Sequence, residues 1–171
     1  MQGTYIVPGY DGTRFTSKHS SSKEECLKND SSIIKITYIH DHADELGISA
    51  SGYSLWGGSA GARMAAVLGN ASYLYQLTGR EDIPQASAVV MQYTGYNMVS
   101  LQDAATYACV GTSDGIAPWR TMQRRLQSLS ALGIPTEFHV YEGLPHGFGL
   151  GTGTVAEGWL TDAVRFWEEN R

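Results

Sequence analysis

Short apolar runs alternate along this chain with longer stretches that have helical spacing. The apolar runs predict strands over residues 4–7, 53–56, 86–93, 106–111 and 136–141. Apolar positions three or four residues apart predict helices from about residue 30 to Gly47, over residues 60–68, between Pro118 and Gly133, and from Thr154 onward. Thr154 and Glu157 make a Thr-x-x-Glu pattern that is typical of a helix start.

The order of these elements indicates the fold class. Strands that alternate with helices and are apolar throughout, as Ala88-Val89-Val90-Met91 is, indicate a parallel sheet with helices on both faces, an α/β fold. Residues 1–30 are predicted to be a strand followed by a flexible polar connection, and residues 31–171 to be the folded core. In such sheets the functional residues lie beyond the carboxyl ends of the strands.

Composition limits the partners and the setting. With 171 residues, 42% apolar and 17% charged, the chain has enough apolar surface for one globular domain. Its net charge of −5 argues against nucleic acid and membrane as partners. Cys26 and Cys109 are expected to be reduced thiols in a cytoplasmic protein, since no secretory segment occurs. Without a metal-ligand cluster or a cofactor fingerprint, neither a metal nor a cofactor is expected.

The turn after the second predicted strand carries the pattern Gly-x-Ser-x-Gly, here Gly57-Gly58-Ser59-Ala60-Gly61. Between a strand and a helix this pattern is typical of a nucleophile elbow, a strained turn that presents a serine hydroxyl above the sheet. We refer to the turn at residues 57–61 as the elbow and to the strand before it as the elbow strand. Ser59 is then a candidate nucleophile, and the backbone N–H of Ala60 is a candidate donor to an oxyanion. The alternative is a tight glycine-rich turn whose serine has no chemical role.

A serine nucleophile needs a base, and the base needs a carboxylate that orients it. His146 follows the last predicted strand, and Asp114 follows the strand before it. Together with Ser59 they stand just after three strands in the order Ser, Asp, His, which favours a catalytic serine over an idle one. Glu142, near the end of the last strand, is an alternative orienting acid.

Three segments now give the chain a family resemblance. Leu55-Trp56-Gly57-Gly58-Ser59-Ala60-Gly61, Gly111-Thr112-Ser113-Asp114 and Pro145-His146-Gly147-Phe148 resemble motifs of α/β-hydrolase fold carboxylesterases, in particular acetyl-xylan-esterase-like and lipase-like enzymes of the dienelactone-hydrolase type. The resemblance implies a partial α/β-hydrolase catalytic core over roughly residues 31–171. It also implies that Ser59 attacks an ester carbonyl, that His146 transfers the proton, and that Asp114 orients His146. A short-chain acyl ester is the expected substrate, with acetylated carbohydrates among the candidates.

The N-terminal region departs from that family, whose members carry several strands before the elbow and a His-Gly-Gly type loop with a second oxyanion donor. If the strand at residues 4–7 pairs beside the elbow strand, the loop at residues 8–12 opens on the site, and Gly9 and Tyr10 are candidates for that donor. Alternatively the chain is a truncated one whose first strand corresponds to a strand further out. The elbow strand then has an open edge that favours homo-oligomers.

Aromatic residues beside strand ends are candidates for a substrate pocket. Tyr93, Tyr96 and Trp119, together with Gly58 in the elbow, either line such a pocket or pack in the core. The acidic residues outside these motifs are interpreted as surface or cap charges, namely Asp82, Asp103 and Asp162.

Three functions remain in competition at this point. The first is a serine carboxylesterase that acts on small-molecule esters. The second is a catalytically weak or inactive hydrolase remnant that serves as an oligomerising interaction module. The third is a peptidase or thioesterase that uses the same three residues, since one fold supports many substrates.

Overall fold

The computed structural model describes residues 31–171 and the short strand β1 (Tyr5–Ile6), with side chains from Lys35 onward. Residues 7–30, where the polar connection is predicted, lie outside the described residues. The elements that follow are α1 (Ser31–Asp41), α2 (Ala43–Leu46), β2 (Ser54–Gly58), α3 (Ala60–Leu68), α4 (Ala71–Thr78), β3 (Ala88–Gln92), β4 (Ala105–Gly111), α5 (Trp119–Ala131), β5 (Thr136–Tyr141) and α6 (Trp159–Glu169).

The strands of the described chain form one five-stranded sheet in the order β1-β2-β3-β4-β5. Every neighbouring pair is parallel, which confirms the predicted α/β class. Tyr5 pairs with Leu55 and Ile6 with Trp56, so the first strand lies directly beside the elbow strand. Because all strands point the same way, their carboxyl ends meet at one edge of the sheet.

Alternate residues of the strands enter two separate cores. In β4, Ala108 and Val110 belong to the core on one face, while Tyr107 and Cys109 belong to the core on the other. Successive side chains of a strand point to opposite faces, so a strand that is buried along its whole length has to be apolar on both. Helices α3 and α5 contribute to the first core and α6 to the second.

Helix α5 shows the predicted apolar stripe with one exception. Met122, Leu126 and Leu129 are buried against the sheet at helical spacing. Leu132, which the pattern also assigns to the stripe, is 42% exposed. It caps the helix, and the chain turns away at Gly133, whose φ of +80° lies in the left-handed region.

The helix predicted from residue 30 to Gly47 is in fact two helices, because the chain departs from helical geometry at His42 (φ −113°, ψ 18°). The His42 ring stacks on Tyr38 with centroids 4.0 Å apart, and its Nδ1 lies 2.8 Å from the Tyr38 carbonyl oxygen. The Tyr38 carbonyl oxygen also accepts from the His42 N–H at 3.0 Å, so the helical hydrogen bonds continue up to His42. Leu46, expected on the inner stripe, is 50% exposed.

The pattern does not predict α4, a short helix after the elbow helix. Asn70 caps it by accepting a hydrogen bond from the Tyr73 N–H at 3.1 Å, and Gly79 ends it with φ +69°. Leu74 is the residue of α4 that is buried, so the helix leaves little periodic signal.

Helix α6 begins at Trp159, five residues later than the Thr-x-x-Glu pattern predicts. Gly158 precedes it with φ +97°, a conformation that interrupts a helix. The pattern instead caps a turn: the Glu157 carboxylate accepts from the Gly153 N–H at 2.8 Å, and the Thr154 hydroxyl accepts from the Ala156 N–H at 3.2 Å. Neither of these is a bond of a capping box, in which Thr154 would accept from the Glu157 N–H and Glu157 from the Thr154 N–H; the two side chains stabilise a turn before the helix instead.

Candidate active site

Ser59 occupies the turn between β2 and α3 in a strained conformation, with φ 55° and ψ −117°. Such a conformation typically costs about 1–3 kcal/mol and persists only where the surroundings enforce it. One constraint is Gly57, where an added Cβ would lie 2.2 Å from the Gly61 carbonyl carbon. Another is the Ser59 N–H, which donates to the Gln92 carbonyl oxygen at 3.0 Å. Gly57 is thus required by close backbone approach.

His146 lies in the loop after β5 and contacts both of the other predicted residues. Its Nε2 is 2.9 Å from Ser59 Oγ, and its Nδ1 is 2.8 Å from Asp114 Oδ2. An ionised carboxylate only accepts hydrogen bonds, so Nδ1 carries the proton and Nε2 of the neutral ring accepts one from the Ser59 hydroxyl. The imidazole is therefore in the tautomer that a general base requires.

Asp114 is held rigidly in the loop after β4, with a side chain that is fully buried. Its Oδ1 accepts from the Ile116 N–H at 2.8 Å and from the Ala117 N–H at 2.7 Å, which leaves Oδ2 for His146. Two backbone donors stabilise the charge of this carboxylate without an ionic partner. Glu142, the alternative acid, is exposed, and the acid that contacts His146 is Asp114.

Tyr93, at the end of β3, packs against the imidazole. Its ring meets the His146 ring edge-on at 4.9 Å and the Phe148 ring at 5.1 Å. Burial raises the pKa of the Tyr93 hydroxyl, with a partly opposing effect from the Gly149 backbone. A Cβ on Gly58 would lie 2.9 Å from that hydroxyl, so Gly58 makes room for Tyr93. These contacts fix the orientation of the imidazole ring.

An open groove of about 490 Å³ lies over the hydroxyl of Ser59. Of the aromatic candidates, Tyr93 and Tyr96 line it. Trp119 and Gly58 are not part of its wall: Trp119 packs against the core beneath the guanidinium of Arg120. Sequence reasoning missed other lining residues, in the loops after β3 and β4 and in the first turn of α3, which are Arg63, Thr94, Asn97, Met98 and Ile116. Their position just after strand ends is the signal that could have found them.

The first residue of α3, Ala60, is the one whose N–H is predicted to be an oxyanion donor. Ala60 lines the groove beside Ser59. Its N–H is among those that a helix leaves without an intrahelical acceptor, and it lies at the positive end of the helix dipole. The candidates for a second donor, Gly9 and Tyr10, lie outside the described residues.

A second polar network lies behind the groove and overturns the interpretation of Asp103 as a surface charge. The Asp103 side chain is 5% exposed and accepts from Asn70 Nδ2 at 2.7 Å, from the Ser100 N–H at 3.2 Å and from Arg125 Nη2 at 3.2 Å. Arg125 Nε donates to the Met98 carbonyl oxygen at 3.0 Å, which ties the network to the groove loop. Burial lowers the pKa of the Arg125 guanidinium, against the opposing charge of Asp103.

Two absences hold for the residues that the structure describes. No helix among them is both long and apolar enough to cross a membrane. Nor does this part of the chain gather three or more histidine, cysteine or acidic side chains around a point where a metal ion would bind.

No family model matches the sequence, and no curated protein matches it. Several solved structures are similar to this chain in fold. An acetyl ester-xyloside bifunctional hydrolase from Caldicellulosiruptor lactoaceticus gives a TM-score of 0.67 at 18% identity, over 80% of this chain and 63% of that one. A carboxylesterase from Lactobacillus plantarum gives 0.73 at 15% identity, over 90% and 70% of the two chains. Thermogutta terrifontis esterase 2, phosphoramylated by tabun, gives 0.66 at 20% identity, over 88% and 66%.

These neighbours are hydrolases, and the chain spans between 63% and 70% of their length. At such identities the likeness concerns the fold, which agrees with the parallel sheet and with the elbow between β2 and α3. The described chain therefore has a partial α/β-hydrolase fold.

Proposed function

We propose that this protein is a serine hydrolase of carboxylic esters. In this proposal Ser59 is the nucleophile, His146 the general base and acid, and Asp114 the residue that orients His146. The supporting observation is the continuous relay from Ser59 Oγ to His146 Nε2, at 2.9 Å, and from His146 Nδ1 to Asp114 Oδ2, at 2.8 Å. Strained backbone conformations cluster at functional sites, which favours a catalytic serine over an idle one at this position.

The geometry supports a two-stage reaction. In the first stage, Ser59 Oγ bonds to the ester carbonyl carbon while its proton passes to His146 Nε2, and the carbonyl electron pair moves onto oxygen. When this pair returns, the bond to the alcohol oxygen breaks, and the alcohol leaves with the proton from Nε2. In the second stage a water oxygen bonds to the acyl carbon while His146 Nε2 takes one of its protons. The bond between the acyl carbon and Ser59 Oγ then breaks, Nε2 returns the proton to Oγ, and the acid is released.

Charge develops at two points, and the chain has a group for each. The imidazolium that forms at His146 lies against the buried carboxylate of Asp114. The oxyanion faces the Ala60 N–H at the start of α3, a donor whose loss typically costs about 2.7–4 kcal/mol of transition-state stabilisation. Gly9 and Tyr10 remain candidates for a second donor.

Small esters with short acyl groups are the proposed substrates, with acetylated carbohydrates among them. The groove of about 490 Å³ lies within the usual range of small-molecule sites, about 300–1,000 Å³. One of the proteins with a similar fold is described as an acetyl ester-xyloside bifunctional hydrolase. This similarity supports the choice of acetyl esters as proposed substrates.

We also propose a cytoplasmic setting, which the free, buried thiol of Cys109 supports. Association through an open sheet edge stays a prediction that size-exclusion chromatography at several protein concentrations tests directly.

The proposal is tested with 4-nitrophenyl acetate and a fluorophosphonate probe, which modifies activated serines. The native chain should hydrolyse the ester and take up one probe molecule at Ser59. Ser59→Ala and His146→Ala should each lower kcat by about 1,000-fold or more, with an unchanged circular-dichroism spectrum. Ser130→Ala, an exposed serine on α5, is the matched control and should keep both labelling and turnover.

An unlabelled, folded chain without turnover would overturn the proposal and favour the interaction module instead. Labelling at Ser59 together with turnover of a peptide or thioester, and not of the oxygen ester, would keep the three residues and change the substrate class.

A further inference from the structure

The groove that contains Ser59 carries an unbalanced charge. Its walls are otherwise formed by neutral groups and by the His146 ring, and the one cationic residue that lines it in the described chain is Arg63. No aspartate or glutamate side chain of the described residues belongs to its lining. Asp114, the acid that contacts His146, has a fully buried side chain, and both of its carboxylate oxygens accept hydrogen bonds.

Arg63 is placed to act on a molecule that is bound at Ser59. It follows Ser59 by four residues, which puts it one helical turn along the same side of α3. The residue is exposed, and it takes part in none of the salt bridges that the described residues form. A guanidinium without a carboxylate partner keeps its five donors for a ligand.

The sign of this local charge is opposite to that of the chain. The net charge is −5, so an anion gains nothing from the overall charge of the protein. At physiological salt, however, fields from distant charges are screened over about 8 Å, and a charge within the groove outweighs them. The N-terminal end of α3, which points at the same groove, adds a partial positive charge.

Two exposed apolar side chains also line the groove and bear on the rest of the ligand. Met98 and Ile116 line the groove while 56% and 74% exposed, respectively. Side chains of this size with so much apolar area in water suit an aliphatic or aromatic group of the substrate.

We propose that Arg63 selects esters that carry a negative charge, with a carboxylate on the substrate paired to its guanidinium and an apolar group against Met98 and Ile116. This inference rests on the proposed function, because it concerns the substrate of the same serine.

The test uses two matched pairs of esters that differ in one charge. The first pair is 4-acetoxyphenylacetate and the neutral 4-acetoxyphenylacetamide, which vary the alcohol. The second pair is the 4-nitrophenyl monoester of glutarate and its neutral monoamide, which vary the acyl group.

The native chain should show higher kcat/KM for the anionic member of at least one pair. Arg63→Gln should lower that anion-to-neutral ratio about two- to fivefold, the size expected for an exposed ion pair. Arg63→Lys should keep most of the ratio, and Arg63→Glu should bring it below that of Arg63→Gln.

Arg124→Gln is the matched control, because this exposed arginine on α5 is absent from the groove lining and its loss changes the net charge equally. It should leave the ratio of both pairs unchanged. Fluorophosphonate labelling of Ser59 separates the two ways to fail. A labelled chain whose ratios do not respond to Arg63→Gln in either pair overturns the role of Arg63 alone, whereas an unlabelled chain without turnover overturns the hydrolase proposal and this inference with it.

Discussion

Asp114 and Asp103 are two buried carboxylates with nearly the same hydrogen-bond inventory and different surroundings. Each accepts three hydrogen bonds and is almost entirely hidden from water. Two donors of Asp114 are backbone N–H groups, and the third is an imidazole that continues to the Ser59 hydroxyl. The third donor of Asp103 is the guanidinium of Arg125, which is 2% exposed. In the proposed hydrolase, the buried carboxylate of Asp114 assists the reaction through an imidazole that reaches the groove, whereas that of Asp103 pairs with an enclosed cation and stabilises the fold.

The largest expected effect comes from Asp114→Asn. The asparagine Oδ1 still accepts from the Ile116 and Ala117 N–H groups, so the loop should keep its conformation. Its Nδ2 would then donate to His146 Nδ1 and force the ring proton onto Nε2, where it blocks transfer from Ser59. We expect kcat for 4-nitrophenyl acetate to fall about 10,000-fold, the loss typical of a wrong tautomer, with a melting temperature close to that of the native chain.

The control for this variant is Glu142→Gln, which neutralises the exposed acid directly after β5 that the sequence also offered. It should leave turnover unchanged. A large loss in Glu142→Gln, or only a small loss in Asp114→Asn, would contradict the assignment of the orienting acid.

Asp103→Asn should reverse this pattern by lowering stability rather than the rate. The change leaves the buried charge of Arg125 without a counterion, which typically costs about 3–5 kcal/mol. Urea unfolding should show this loss as a shift of the midpoint, and the fraction that stays folded should keep its fluorophosphonate labelling at Ser59. A rate defect as deep as that of Asp114→Asn would mean that the two networks are not separate.

A second variant sharpens this result. Arg125→Met removes the cation and its Nη1, a buried nitrogen without a partner among the described residues, while Asp103 keeps its bonds from Asn70 and Ser100. It should therefore destabilise the protein less than Asp103→Asn does. The opposite order would mean that the carboxylate, and not the guanidinium, is the costly group to leave unpaired.

The contrast also explains how far sequence alone leads. Ser59, Asp114 and His146 each follow a strand, and a parallel sheet has to bring strand ends to one edge, so topology and motif together predict their convergence. Strand β5 and helix α3 have the predicted bounds because their apolar periods are uninterrupted. Where packing follows the local pattern, the sequence is sufficient.

Asp103 shows where the local pattern fails. Two of its three partners are distant in the chain: Asn70, which caps α4, is 33 residues away, and Arg125 in α5 is 22 residues away. No spacing rule connects an aspartate in a loop with an arginine in a helix. The start of α6 fails for a related reason: Thr154 and Glu157 each accept one backbone hydrogen bond within a turn, and Gly158 separates that turn from the helix. Features that depend on contacts between elements, or on one backbone torsion, carry no periodic signal.

The smallest effect is expected at a carboxylate on the surface, Asp82, which provides the baseline for the two buried ones. Its side chain is 60% exposed and pairs with Arg80, whose hydrogen bond lowers the pKa of the Asp82 carboxyl to about 2. A carboxyl with a lowered pKa stabilises the fold above its unfolded value of 3.8, and this contribution fades as the pH falls from there towards 2. Solvent screens such a pair, so Asp82→Asn should lower the melting temperature at pH 5 far less than Asp103→Asn does. The difference between Asp82→Asn and the native chain should shrink further at pH 3, when measured by calorimetry at both values. A difference that grows as the pH falls would show that the ion pair with Arg80 does not stabilise the folded state, and that the contrast between buried and exposed carboxylates rests on something other than their pairing.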